Sequence, residues 1–253
     1  MRLSREQMLV EMGLGPIWRE RTQAPLRVSG EISAGAGGLP PPQQVPENPP
    51  DLANPVPALV AAADPAHLEW PELAQHVGAC RACGLCQQRK QAVLGVGDRQ
   101  ADWLFVGEGP GAEEDVQGEP FVGQAGKLLD NMLAALDLKR DHKVYIANAV
   151  KCRPPGNRTP EAAEMAACRP YLARQIALIQ PKIIVLLGKA AAYAVLHEDK
   201  TLAAMRGQHF AYQGIPVVVT YHPSYLLRNL PDKAKAWEDL LRARQILRAT
   251  PTS

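Results

Sequence analysis

The 253-residue sequence lacks several features that would assign a protein to a class directly. It has no apolar run long enough to cross a bilayer, and its first residues lack the continuous apolar core of a signal peptide. Aromatic residues make up only 5% and the formal net charge is only +2, so total charge does not indicate a strongly basic nucleic-acid binder. Local basic patches remain compatible with that total. We expect a cytoplasmic protein that does not bind membranes.

Cysteine is also scarce, with five residues, and in a reducing compartment thiols are metal ligands or buried side chains more often than disulfides. Cys80 and Cys83 form a C-x-x-C pair, which Cys86 extends into a second, overlapping pair. Cys152 and Cys168 follow with 15 residues between them. Four thiolates can hold a zinc ion or a [4Fe–4S] cluster, and the spacing does not decide between them. Scattered buried thiols are the third interpretation.

The distribution of proline divides the chain into three parts. A short helical segment is predicted over residues 1–23. Residues 24–66 contain ten of the 23 prolines. Such a composition buries too little surface to offset the entropy of ordering, so we predict a disordered linker. An irregular coat wrapped on the domain is the alternative. Residues 67–253 form the predicted folded domain, and the N-terminal segment is expected to dock a repair or replication protein.

Within the folded part, short apolar runs alternate with helical patterns. Strands are predicted over 101–106, 144–150, 182–188 and 217–223, with helices over 128–136, 160–179, 189–196 and 232–249. Nearly continuous apolar strands alternating with helices indicate a sheet covered on both faces. The predicted fold is therefore a three-layer αβα domain with a central, mostly parallel four-stranded sheet. Ligands bind such folds beyond the carboxyl ends of the strands, where the loops 107–123, 148–160 and 222–230 converge.

The loop between the first strand and its helix, GEGPGAEEDVQGEPFVGQAGKLL, combines many glycines with an acidic run. It does not match the dinucleotide fingerprint G-x-G-x-x-G, and Leu128 stands where a P-loop needs Ser or Thr. Carboxylates in this loop would also repel a phosphate. The loop is therefore expected to hold a neutral or cationic group against backbone and carboxylates.

Three motifs, together with the cysteines, carry a family resemblance. The glycine loop, NAVKCRPPGNRTP and HPSYLLRN follow CRACGL and its later arginine. This combination resembles the family 4 (iron–sulfur, type A) uracil-DNA glycosylases over about residues 80–249, and it leaves the 24–66 linker outside. The resemblance implies a uracil-DNA glycosylase-like fold and a monofunctional enzyme. The expected reaction is to flip uracil out of single- or double-stranded DNA and hydrolyse its N-glycosidic bond for base excision repair.

The resemblance also implies the site residues. Cys80, Cys83, Cys152 and Cys168 become the expected [4Fe–4S] ligands, which leaves Cys86 as an extra thiol. The expected catalytic residues are Glu108, Glu114 and His222, with the division between the two carboxylates left open. The expected uracil-binding residues are Gly107, Glu108, Gly109, Phe121, Asn148 and His222. The expected DNA contacts are Asn157, Arg228 and the wedge residue Leu226.

The chemistry of these side chains suits those roles. Phe121 offers a ring face for stacking, and the Asn148 amide can both donate and accept, as uracil's N3–H and O4 require. His222 can donate to uracil O2 as the leaving base becomes anionic. Packing of Leu226 and Leu227 under their loop is the alternative to a wedge.

Other functions remain open from the residues alone. A non-catalytic iron–sulfur DNA-binding or polymerase-associated module with the same fold is the main alternative, and a zinc-stabilised hydrolase of free nucleotides is a third. A binding module does not need Glu108, Glu114, Asn148 or His222. Family 5 enzymes lack the carboxylate of Glu108, and relatives trapped on abasic DNA carry an inserted basic loop where RPPGNRTP follows directly. We expect a monomer.

Overall fold

A computed structural model describes residues 64–249 of the chain. The predicted helical segment 1–23 and nearly all of the predicted linker 24–66 lie outside the described residues. The first described element is a 3₁₀ turn over Pro65–His67, at the predicted start of the domain. The Asp64 carboxylate caps this turn by accepting from the Ala66 N–H at 3.0 Å. The Arg174 Nε then donates to the Leu68 carbonyl at 2.7 Å, which ties the segment to a long helix of the domain.

The centre of the fold is a six-stranded mixed sheet with the order β1-β3-β2-β4-β6-β5. The strands are β1 (Val96–Gly97), β2 (Trp103–Gly107), β3 (Val144–Asn148), β4 (Ile183–Leu187), β5 (Phe210–Tyr212) and β6 (Ile215–Thr220). The inner four strands are parallel, which confirms the predicted α/β architecture. The edge strands β1 and β5 are antiparallel and were not predicted. They have two and three residues, too few to show a period.

The helices are α1 (Trp70–Ala79), α2 (Ala112–Gln117), α3 (Gln124–Ala134), α4 (Ala162–Ile179), α5 (Lys189–Leu196), α6 (Leu202–Met205), α7 (Pro223–Leu226) and α8 (Asp232–Ala249). Across residues 64–249, each helix is too short or too polar to span a membrane. Helix α4 begins at Ala162, two residues later than predicted, because Glu161 is its cap. The Glu164 carboxylate accepts the Glu161 N–H at 2.8 Å, which closes the first turn and frees the Thr159 side chain.

Both faces of the sheet are buried, which explains why its inner strands are mostly apolar before their last residues, such as Asn148 in β3 and Thr220 in β6. Phe105 and Val185 pack with α3 and α8 on one face, and Leu104 and Leu186 pack with α4 and α5 on the other. Successive residues of a strand point to opposite faces, so a strand covered on both sides has few polar positions.

The register of the parallel strands fixes where polar residues meet. Gly107 pairs with Asn148, and Leu187 pairs with Thr220, so β2, β3, β4 and β6 all end at one edge. The residues that follow these strands therefore line a common cleft at that edge.

Candidate active site and cysteine centre

A cleft of about 610 Å³ opens at the carboxyl edge of the sheet. Eight of the residues expected at the site line it: Glu108, Gly109, Glu114, Phe121, Asn148, Asn157, His222 and Arg228. Gly107 lies behind this lining, where a Cβ would stand 2.5 Å from both Asn148 Oδ1 and Phe121 Cζ. Glycine at 107 therefore lets these two side chains come together at the bottom of the cleft.

Asn148 ends β3 and is 2% exposed. Among the described residues, its Oδ1 has no hydrogen-bond partner although it is buried. Buried polar atoms are nearly always paired, so an open acceptor at the floor of a cleft is suited to a donor on a ligand. Uracil N3–H is such a donor.

Phe121 is held in a left-handed backbone conformation, with φ of 56°. Non-glycine residues rarely adopt this region, and they keep it where the surroundings fix it. Arg140 supplies that constraint: its Nη1 donates to the Pro120 carbonyl at 2.8 Å, its Nη2 to the Phe121 carbonyl, and its Nε to Asp130 at 2.6 Å. The Phe121 ring therefore has a fixed orientation in the wall of the cleft.

His222 follows β6 and faces Phe121, with 5.4 Å between the ring centroids. Its Nδ1 accepts the Ser224 backbone N–H at 3.2 Å and lies 2.7 Å from the Ser224 Oγ. Because a backbone N–H can only donate, Nδ1 is the acceptor and the proton of the neutral ring is on Nε2. Burial lowers the pKa of His222 to about 4, although Glu114 opposes the shift. The residue is therefore a neutral donor at physiological pH.

The two carboxylates expected to be catalytic have different surroundings. Glu114 Oε1 accepts the N–H groups of Val122 and Gly123, both at 3.0 Å, and its Oε2 accepts that of Gly111 at 3.1 Å. The Glu114 carboxylate thus hydrogen-bonds to backbone N–H groups near both ends of the glycine loop. Glu108 hydrogen-bonds to the Thr159 side chain, and burial raises the pKa of Glu108 above its ordinary value while that hydrogen bond opposes the shift. Among residues 64–249, the loop backbone thus holds the Glu114 carboxylate, whereas Glu108 is buried beside Thr159.

The residues expected to contact DNA differ in how far their side chains are exposed. Asn157 lies on the rim, where its Oδ1 accepts from Arg153 Nε at 2.7 Å, and Arg228 is exposed beside it. Leu226 is 0% exposed and belongs to the core formed by α3 and α8, so the wedge role predicted for it is wrong. The one-turn helix α7 directs Leu226 inward, and it leaves the next residue, Leu227, 41% exposed.

Several residues of the cleft were missed by reasoning from the sequence. Arg158, Lys189, Tyr221 and Tyr225 line it, and Thr159 supports Glu108 from behind. Arg158 also makes a two-pronged ion pair with Glu164, at 2.8 and 2.7 Å. Lys189 stands two residues after the end of β4, at the start of α5, and this position beyond a parallel strand was the signal available.

The cysteines gather behind the cleft, between the segment after α1 and the start of α4. Cys152 and Cys168 are buried, and Cys80 and Cys83 pack against the same apolar cluster. Cys152 interacts electrostatically with Cys83 and Cys80, and Cys168 with Cys152 and Cys80. Among residues 64–249, no group of three or more His, Cys, Asp or Glu residues is arranged to hold a metal ion.

Neighbouring groups are arranged to stabilise negative charge on these sulfurs. Arg89 Nη1 donates to Cys152 Sγ at 2.8 Å while its guanidinium also binds the carbonyls of Val77, Gly78 and Cys80. The Lys151 N–H donates to Cys168 Sγ at 3.2 Å. Burial raises the pKa of the Cys168 thiol to about 12, so its deprotonated form needs a bound cation. In chemical type, four cysteines with such neighbours are a donor set that an iron–sulfur cluster or a zinc ion can use.

Comparisons with known proteins agree with this geometry. The family described as the uracil DNA glycosylase superfamily matches residues 94–241. The chain is 41% identical over 164 residues to the type-4 uracil-DNA glycosylase of Archaeoglobus fulgidus, covering 62% of this chain and 82% of the relative. It is 43% identical over 189 residues to that of Sulfurisphaera tokodaii, covering 71% and 85%. It is 42% identical over 180 residues to that of Thermotoga maritima, covering 70% and 93%.

Proposed function

The chain belongs to the uracil-DNA glycosylase superfamily and, within it, to the type-4 enzymes, and we propose on that basis that it excises uracil from DNA. Water attacks C1′ as the bond from C1′ to uracil N1 breaks. The bonding electrons leave with the base as a uracil anion, Glu108 accepts the proton that the attacking water gives up, and protonation of the anion by solvent gives uracil beside an abasic site. The observation that carries the proposal is the cleft that joins Glu108, Phe121, Asn148 and His222 at one edge of the sheet.

Base recognition is assigned to the floor and wall of the cleft. The Asn148 amide, with its open Oδ1, pairs with uracil N3–H and O4, and the Phe121 ring stacks on the base. A thymine methyl group or a purine would have to fit beside the Phe121 ring. That ring is fixed because Arg140 holds the backbone of Phe121 and Pro120. Selectivity in this proposal therefore depends on shape as well as on hydrogen bonds.

Departure of the base is assigned to His222. Its Nε2–H points away from the Ser224 pair that holds Nδ1, and it donates to uracil O2 as negative charge develops there. A neutral imidazole suits this role, because the hydrogen bond strengthens during bond breaking and no proton transfer is needed.

Activation of water is assigned to Glu108. Its carboxylate has one side-chain hydrogen bond, from Thr159, so an oxygen remains to accept a proton from water. Glu114 keeps the loop closed on the base, and its charge also faces the imidazole. Both carboxylates stabilise the positive charge that develops on the sugar.

Contacts to DNA are assigned to the rim. Arg228 and Asn157 bind phosphates on either side of the extruded nucleotide, and Leu227 fills the space that the nucleotide leaves in the stack. This assignment replaces Leu226 by its exposed neighbour.

The cofactor assigned to Cys80, Cys83, Cys152 and Cys168 is a [4Fe–4S] cluster, with Cys86 as an additional thiol. When bound, it supplies structural cross-linking and takes no part in the hydrolysis. It would join the segment after α1 to the chain between β3 and α4, which also carries Asn157 and Thr159. The protein is proposed to act as a cytoplasmic monomer whose residues 1–23 bind a repair or replication protein.

The proposal is tested with purified protein and oligonucleotides that carry one uracil in single- or double-stranded form. We expect strand breaks at the uracil position only after alkali treatment, and none with thymine or cytosine at that position. A Glu108→Gln variant is the control for contaminating activity. Absence of alkali-labile sites with wild-type protein that contains its iron would refute the enzyme and favour a DNA-binding module.

A further inference from the structure

Lys151 is a charged side chain in the interior, only 1% exposed, at the point where the chain leaves β3. Its Nζ donates to the Asn148 carbonyl at 2.9 Å and to Gln175 Oε1 at 2.5 Å. Gln175, itself 0% exposed, donates onward to the Tyr145 hydroxyl at 3.2 Å and to the Leu94 carbonyl at 3.0 Å. The ammonium group is thus anchored to α4 and to the end of the strand that carries Asn148.

Two neutral oxygens do not offset the cost of burying an ammonium group. Negative charge on the neighbouring cysteine sulfurs would offset that cost. Lys151 directly precedes Cys152, its own N–H donates to Cys168 Sγ at 3.2 Å, and its charge interacts with both sulfurs. Thiolates that bind a cluster would keep this charge balanced whether or not DNA is present.

Lys151 also contacts the residue that is proposed to recognise the base. The Asn148 carbonyl that Lys151 holds belongs to the residue whose Oδ1 is open at the floor of the cleft. A displacement of about 1 Å in a substrate-positioning group lowers rates by about 10²-fold, so the anchoring of this short strand end matters for chemistry.

We propose that Lys151 is a positioning residue that fixes Asn148 for reading uracil and connects it to the cysteine centre. The inference rests on the proposed function, because it assumes that Asn148 reads the base. It assigns Lys151 no contact with substrate, and Lys151 acts only through the Asn148 main chain.

The test is a double-mutant cycle on single-turnover excision of uracil, with Lys151→Met, Asn148→Ala and the double variant. Methionine keeps the length of the side chain and removes its charge and both hydrogen bonds. We expect Lys151→Met to lose about 10²-fold in rate, and the double variant to be no slower than Asn148→Ala alone. Losses that multiply in the double variant would show that Lys151 does not act through Asn148. A wild-type protein without activity would instead refute the proposed function.

A second measurement does not depend on activity. Removing a positive charge beside a thiolate-bound cluster shifts its reduction potential to more negative values, because the oxidised, less negative form is favoured. We expect this shift in Lys151→Met, with iron content unchanged. Lys233→Met is the matched control, since Lys233 is another buried lysine, 3% exposed, on α8 outside the cleft and the cysteine centre. An unchanged potential, or an equal shift in the control, would overturn the link to the cysteines.

Should Lys151→Met fail to fold, Gln175→Met provides the same cycle with the charge retained. It removes the 2.5 Å contact that anchors Nζ on α4. We expect a smaller loss of rate that again disappears in the Asn148→Ala background, and additivity would contradict the proposal.

Discussion

At the scale of single residues, two carboxylates in one loop differ in what their oxygens contact. Glu114 accepts three backbone N–H groups, and Glu108 accepts one hydroxyl. Glu108→Gln is therefore expected to slow single-turnover excision by about 10²-fold or more with an unchanged Tm. Glu114→Gln turns an amide towards backbone donors and is expected to lower the stability by about 1–3 kcal/mol. Rate measurements with thermal melts check both, and a stable Glu114→Gln variant that loses as much activity as Glu108→Gln would contradict the division.

The protonation state of His222 gives a prediction on pH. Its pKa in the folded protein is about 4, below the ordinary 6.5, because burial disfavours the imidazolium. Between those values the unfolded chain binds more protons, so this residue lowers the free energy of unfolding as pH falls through the window. The Tm of the wild type should therefore fall more from about pH 7 to about pH 5 than that of His222→Asn. Parallel decreases in the two proteins would mean that folding does not lower the pKa of His222.

At the scale of elements, helix α7 separates two adjacent leucines. Leu226→Ala removes a side chain from the core and is expected to lower the free energy of unfolding by about 2–5 kcal/mol, with similar losses of activity on single strands and duplexes. Leu227→Ala should leave the Tm unchanged and impair duplex cleavage more than single-strand cleavage, because single strands have little stacking to break.

A duplex with a mismatched base opposite the uracil is the control for the Leu226→Ala and Leu227→Ala variants, because the mismatch lowers the free energy needed to extrude the uracil. It should restore much of the Leu227→Ala activity and little of the Leu226→Ala activity. A duplex-specific defect in Leu226→Ala, with a normal Tm, would return the wedge to position 226.

The sequence predicted the four inner strands and the helices α3, α4, α5 and α8 because their apolar patterns are long and the strand ends carry polar residues. It missed β1 and β5 because two or three residues show no period. Gln213 and Gly214 form the tight turn between β5 and β6, and both have positive φ. The glycine at the second of these positions was the sequence signal for this turn. Leu226 was misplaced because its side-chain direction depends on a single turn of helix that the motif does not encode.

At the scale of the whole molecule, the cysteines join segments that are about 70 residues apart in the sequence. Anaerobically prepared protein is expected to be brown and to contain about four iron atoms per chain, as a cubane held by four thiolates implies. Cys152→Ser should lose iron and solubility, and Cys86→Ser, the matched control, should keep both. Stoichiometric zinc without iron would refute the cluster.

The site residues could be grouped from the sequence because parallel strands end at one edge, so Glu108, Asn148 and His222 had to converge. Their individual roles could not be assigned in this way. The division between Glu108 and Glu114 depends on loop hydrogen bonds, and the network of Lys151 and Gln175 joins residues 24 positions apart through the interior. No local sequence pattern indicates either arrangement.

The most direct test of the account is to identify the product released from a duplex with a single uracil. Mass spectrometry should detect free uracil, equimolar with a strand that carries an intact abasic site, and Glu108→Gln should release about 10²-fold less in the same time. Release of a uracil nucleotide, strand cleavage without alkali, or no release by protein with a full complement of iron would contradict the account.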